Sequence, residues 1–103
     1  MEEVEILSQE EIEERLKEVS GWEFKDNKIS KRLEFINFLD ALLFINTIAP
    51  YFEKMDHHAD MTINYNKVLF ELTRWDVGGK VTNRDFTVAK EIDRLFSLRN
   101  FSI

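Results

Sequence analysis

The stretch "MTINYNKVLFELTRW", Met61–Trp75, decides the fold. It reads as two strands, "MTINY" and "KVLFELTRW", joined tightly at Asn66. In the second strand Val68, Phe70 and Leu72 share one face, while Leu69, Glu71, Thr73 and Trp75 share the other. One side of this hairpin therefore belongs on a core, and the other is mixed. Upstream, "GWEFKDNKISKRLEF", Gly21–Phe35, repeats the pattern. Trp22 and Phe24 alternate, Asp26-Asn27 suits a two-residue hairpin turn, and Leu33 and Phe35 alternate on the return.

Three helices frame these hairpins. Ser8 with Glu11 three residues on makes a capping box, Ile12, Leu16 and Val19 follow at helical spacing, and Gly21 ends the element. Asn37 and Asp40 open the second helix, with Phe38, Leu42, Ile45, Ile48, Ala49 and Phe52 as its apolar face. Pro50 removes one helical hydrogen bond and crowds the carbonyl of Asn46, which predicts a kink or break. "DVGGK" is a loop. "TNRD" then repeats the capping signature with Thr82 and Asp85, ahead of a stripe of Phe86, Ala89, Ile92 and Phe96. The order α-β-β-α-β-β-α predicts an α+β, two-layer domain over residues 1–103: a four-stranded antiparallel sheet with three helices packed on one face. The other sheet face, with Leu69 and Trp75, predicts a homo-oligomer, because half-apolar faces usually find a partner.

Composition narrows the function classes. Twenty acidic against 14 basic side chains give a formal charge of −6, which argues against nucleic-acid binding by counterion release. No cysteine is present, so disulfide and thiolate chemistry are excluded. The acidic start "MEEVEILSQEE" lacks the basic and apolar regions of a signal peptide. The apolar run Phe38–Phe52 is interrupted by Asp40, Asn46, Thr47 and Pro50, unlike a membrane span. A cytoplasmic domain without membrane contact is the expectation.

Both histidines of the chain stand side by side in "EKMDHHADMTINYNKV", Glu53–Val68, where a helix gives way to a strand. If the helix reaches His57, Glu53 lies one turn back on the same face and can orient the imidazole. Adjacent helical residues point about 100° apart, so His57 and His58 converge on one pocket only if the chain leaves the helix there. Spacing alone leaves three uses open. They are proton transfer, simple complementation of the helix dipole, and a metal site drawing on Glu53, His57 and Asp60.

Beyond spacing, "E-x3-HH" at Glu53, His57 and His58, then "NYNKV", "LT", "GG" and "T-x-x-D" resemble the pterin-4a-carbinolamine dehydratase family. The resemblance extends from "GW" at Gly21-Trp22 to "D-x-x-x-A-x-x-I" at Asp85, Ala89 and Ile92, nearly the whole chain. It implies the same element order, and dehydration of 4a-hydroxytetrahydropterins to quinonoid dihydropterins. It also implies no metal and no redox cofactor; whether the expected homo-oligomer is a dimer or a tetramer stays open. By resemblance, Glu53, His57 and His58 take catalytic positions. Asp85 takes that of the motif aspartate, and Trp75 that of a further active-site residue, placed to bind the pterin; Thr73, on the sheet face it shares with Trp75, is a candidate to line the same pocket or to support the strand. Which histidine is acid and which base stays open.

The chain departs from the pattern at three places. Ala59 replaces the proline that usually follows the histidine pair. Trp75 replaces a third histidine typical of animal members; indole stacks on a flat pterin and donates one hydrogen bond, but does not exchange protons at neutral pH. The loop from Gly79 to Asp85 is one residue longer than in animal relatives. Two alternatives remain. One is a non-catalytic interaction module, since animal relatives also serve as dimerisation cofactors of a homeodomain transcription factor. The other is binding or processing of a different pterin, such as one on the path to a molybdenum cofactor.

Overall fold

Asp26 and Asn27 both adopt left-handed backbone, with φ of 54° and 61°. Their short polar side chains tolerate it, and two such residues in a row make the turn whose twist matches paired strands. Lys25 consequently faces Lys28 across the first hairpin. The second hairpin turns at Tyr65-Asn66, with Asn64 opposite Lys67. Tyr65 has φ of 56°, uncommon for a bulky residue. Asn66 holds that turn from outside. Its carbonyl accepts from the Phe35 N–H at 2.7 Å, and its side-chain amide donates to the Phe35 carbonyl at 2.9 Å.

This computed structural model describes residues 4–57, 59–74, 76 and 78–100, the last by backbone alone. Along it run α1 (Gln9–Leu16), β1 (Glu23–Lys25), β2 (Lys28–Glu34), α2 (Phe38–Met55), β3 (Asp60–Asn64), β4 (Lys67–Leu72) and α3 (Asn83–Asn100). The strands form one antiparallel sheet in the order β1-β2-β4-β3, as the two hairpins predict. Ile29, Leu33, Val68, Phe70 and Leu72 share its helix-covered face and are buried. They join residues of all three helices in one core. At its centre the Phe44 ring lies 5.3 Å from Phe35, 6.1 Å from Phe70 and 6.0 Å from Phe96, tilted or edge-on. Such pairs add to the roughly 1.5–3 kcal/mol that burying each ring contributes.

The open sheet face differs from the expectation. Across the register, Leu69 stands between Thr62 and Arg32, and Glu71 between Asp60 and Ser30. Among the described residues Leu69 is the one large apolar side chain there, so the described part of this face is more polar than expected; Trp75 lies outside the described residues.

The capping box at Ser8 and Glu11 forms as read, but α1 stops at Leu16, and Val19 is buried from the turns between it and Gly21. Helix α2 continues through Pro50 without a break. Pro50 and Asn46 are exposed, so the carbonyl that loses its partner belongs to the helix's water side. The buried stripe of α2 is Ala41, Phe44, Ile48 and Phe52, whereas Phe38 is 47% exposed. The helical period is right and its phase is rotated.

At the far end of this layer Arg99 of α3 lies 4.9 Å from the centroid of the Phe35 ring and pairs with Asp40 of α2. The Arg99 guanidinium first, and then the N–H of Ile36, hold the Asp40 carboxyl below its ordinary value of 3.8. A depressed folded-state value means that the carboxylate's contribution is complete above that ordinary value and is lost as pH falls through the folded one. Asp40→Asn is therefore expected to lower the thermal midpoint near pH 7 and to converge on wild type at about pH 2. Circular-dichroism melts across that range would check this. An equal deficit at every pH would contradict it.

Candidate functional site at the exit of the second helix

How α2 stops decides where the histidines go. Asp56 is left-handed, at φ 51° and ψ 46°. Its N–H returns to the Glu53 carbonyl at 3.2 Å, and the N–H of His57 returns to the Phe52 carbonyl at 3.2 Å. This pair of bonds is a Schellman closure. It ends the helix at Met55 and turns the next side chain inward, leaving His57 only 3% exposed. The helix does not reach His57, so the condition under which Glu53 would lie one turn back on its face is not met. Two arginines from elsewhere secure the exit: Arg84 Nη1 donates to the Met55 carbonyl at 2.9 Å, and Arg74 Nη1 to the Asp56 carbonyl at 3.3 Å.

The carboxylate that meets His57 is Asp85. Its Oδ1 is hydrogen-bonded to Nε2 of the imidazole, and both side chains are buried. Its Oδ2 accepts from the Thr82 N–H at 2.8 Å and from the Thr82 hydroxyl at 3.3 Å. Asp85 thus caps α3 and holds the histidine with different oxygens. The other ring nitrogen, Nδ1, lies 3.2 Å from Arg74 Nη1. A guanidinium has only donors, so Nδ1 accepts and Nε2 carries the ring proton donated to Asp85.

Arg74 is held in turn by Asp76, through Nε to Oδ1 at 2.7 Å and Nη2 to Oδ2 at 3.1 Å. This fork pushes the guanidinium up from its ordinary value and holds the Asp76 carboxyl below its own. The Arg74 carbonyl accepts from the N–H groups of Gly79 at 3.1 Å and Lys80 at 3.3 Å. Gly78 and Gly79 make this reversal with φ of 81° and 70°. Among the described residues, its chain neighbours apart, no atom lies within 4 Å of where a Cβ on Gly78 would stand, so backbone conformation rather than space calls for glycine there. The chain's beginning supports the same region. Leu7 N–H donates to the Val81 carbonyl at 3.0 Å, and Asn83 N–H to the Glu5 carbonyl at 3.1 Å.

Of the six residues expected at the site, the structure brings His57 and Asp85 together. Glu53 is exposed on the last turn of α2. Thr73 is buried, and its hydroxyl donates to the Asn27 carbonyl at 2.8 Å. His58 and Trp75 lie outside the described residues. Among the described residues no group of three or more His, Asp and Glu side chains gathers as for a metal ion. A cleft of about 340 Å³ between the N-terminal segment and the first hairpin is lined by Leu7, Phe24 and Lys80 among others, and by none of the six.

Sequence reasoning missed Arg74 and Arg84. A signal for Arg74 existed: it continues the alternation Val68, Phe70, Leu72 onto the buried side, where an arginine needs partners.

Removing the Asp85 side chain strands a buried imidazole N–H and the Thr82 N–H together. Asp85→Ala is expected to lose about 2–5 kcal/mol in urea unfolding. Asp85→Asn keeps acceptor oxygen for one partner and should lose clearly less. Equal losses would mean that Asp85 acts through bulk alone.

Three comparisons with known proteins bear on this geometry. The family profile described as Pterin 4 alpha carbinolamine dehydratase matches residues 5–95. A protein of Sulfolobus acidocaldarius, provisionally named a pterin-4-alpha-carbinolamine dehydratase, is 40% identical over 89 residues, covering 86% of this chain and 97% of its own. One from Sulfurisphaera tokodaii with the same provisional name is 42% identical over 91 residues, covering 88% and 97%. The crystal structure of a transcriptional coactivator/pterin dehydratase from Brucella melitensis superposes with a TM-score of 0.83 at 29% identity, over 88% of this chain and 98% of that one. The chain belongs to the pterin-4a-carbinolamine dehydratase family.

Proposed function

We propose that the protein dehydrates a 4a-hydroxytetrahydropterin to the quinonoid dihydropterin, with histidine as the proton carrier. The carbon–oxygen bond at C4a breaks, the hydroxyl leaves as water with an added proton, and a ring nitrogen of the pterin gives one up. No electrons are transferred, so imidazoles working as general acid and base suffice. The observation that carries this reading is the His57 ring, in a chain of this family, oriented by Asp85 on one nitrogen and bordered by Arg74 on the other. A base oriented by a third group is the recurring arrangement for proton transfer. Nε2 faces a fully buried carboxylate, which supports Nδ1 as the nitrogen for the pterin. His58, next in sequence, and Glu53 are assigned the remaining proton traffic. Trp75 is assigned to stacking on the ring, and Thr73 and Asp85 to supporting the pterin site.

The Brucella melitensis protein is described as a coactivator as well as a dehydratase, and that favours one alternative, service by binding alone. Stopped-flow absorbance with synthetic carbinolamine separates the two. Wild type should accelerate dehydration over buffer at neutral pH, and His57→Ala should lose about a hundredfold or more. A wild-type rate no faster than buffer, with His57→Ala indistinguishable, would overturn the enzyme reading. Full biological rescue by the His57→Ala/His58→Ala double variant would then support the binding module.

A further inference from the structure

Arg74 and His57 meet nitrogen to nitrogen, 3.2 Å apart. Both are basic groups, and the contact is attractive only while Nδ1 is bare. A protonated Nδ1 would face a guanidinium N–H with a second N–H. Arg74 is not placed there by chance packing, because Asp76 grips it through two bonds and the Asp56 carbonyl accepts from the same Nη1. We propose that Arg74 is a positioning residue for His57, holding the imidazole in its neutral Nε2–H form by donating to Nδ1. Among the described residues, the charged groups bordering the ring are Asp85 from α3, Asp56 from the α2 exit, and Arg74 and Asp76 from the loop after β4, with Arg84 of α3 on the nearby Met55 carbonyl. Of these, Asp85 and Arg74 bond the ring nitrogens. On the proposed reading of the site, which this inference deepens, the lone pair needed for proton transfer is covered in the free protein, and the pterin has to draw the guanidinium aside.

The experiment is made on the ligand-free full chain with 15N-labelled histidine, by long-range proton–nitrogen spectra at a mildly alkaline pH. The chain has two histidines, so a His58→Gln sample assigns His57. In wild type the Nδ1 signal should be displaced toward the protonated-nitrogen region relative to Arg74→Leu, as accepting a hydrogen bond requires. Arg74→Lys, which keeps a donor, should recover part of that displacement. An Nδ1 signal at the same position in wild type and Arg74→Leu overturns the proposal.

A second comparison reads the tautomer. In Asp85→Asn the amide can accept from or donate to Nε2, which leaves the choice to the Nδ1 neighbour. Asp85→Asn should then keep the single Nε2–H form, and Asp85→Asn/Arg74→Leu should show both forms. Identical tautomer populations in the two overturn the proposal, and should the double variant not fold, the wild-type and Arg74→Leu comparison decides alone. None of these signals requires turnover, so an inactive protein with the expected spectra would sink the dehydratase reading and leave Arg74 in its role.

Discussion

A left-handed turn at Asp56 and one carboxylate bond tie the end of α2 to the start of α3. The turn closes α2 and sends His57 inward. Asp85 receives it from the first turn of α3. Burying a charged carboxylate is costly, because water's solvation is lost. Here the loss is offset locally. The Thr82 N–H and hydroxyl satisfy one oxygen, the imidazole N–H satisfies the other, and the N-terminal end of α3 presents the positive end of its dipole. The carbonyls at the end of α2 are meanwhile taken by Arg84 and Arg74. Both helix termini therefore solve their own capping problem with the groups that compose the site.

The order of elements was legible because its signals are local. Two turn residues able to be left-handed, strict alternation on either side, and Ser or Asn followed three residues later by an acidic side chain each act within a few positions. The phase of α2 was less legible. Leu39, Leu43 and Phe38 are apolar yet exposed, so hydrophobicity surrounds much of that helix, and periodicity alone does not say which stripe meets the sheet. Pro50 looked like a breaker because its outward placement depends on that same phase.

The site was half legible for a similar reason. Glu53 is the carboxylate that helical spacing puts beside His57, and local reasoning selects it. Asp85 lies 28 positions away and reaches the ring through the packing of α3 on α2, a distance no periodicity spans. Its motif position pointed to both the helix cap and the site, and the structure assigns one oxygen to each bond.

That division constrains the chemistry further. To pass a proton onward Asp85 would have to become a carboxylic acid while buried, weakening its hold on the Thr82 N–H and on the start of α3. Proton transfer through Nε2 would thus loosen the helix that aligns the ring. Transfer through Nδ1 disturbs only a guanidinium on a two-glycine loop, whose side chain is partly open to water and whose charge stays balanced by Asp76 as it moves. The softer side of the imidazole is the side from which a substrate could be served without unfolding its support, so on the proposed reading Asp85 is the anchor and Nδ1 the working atom.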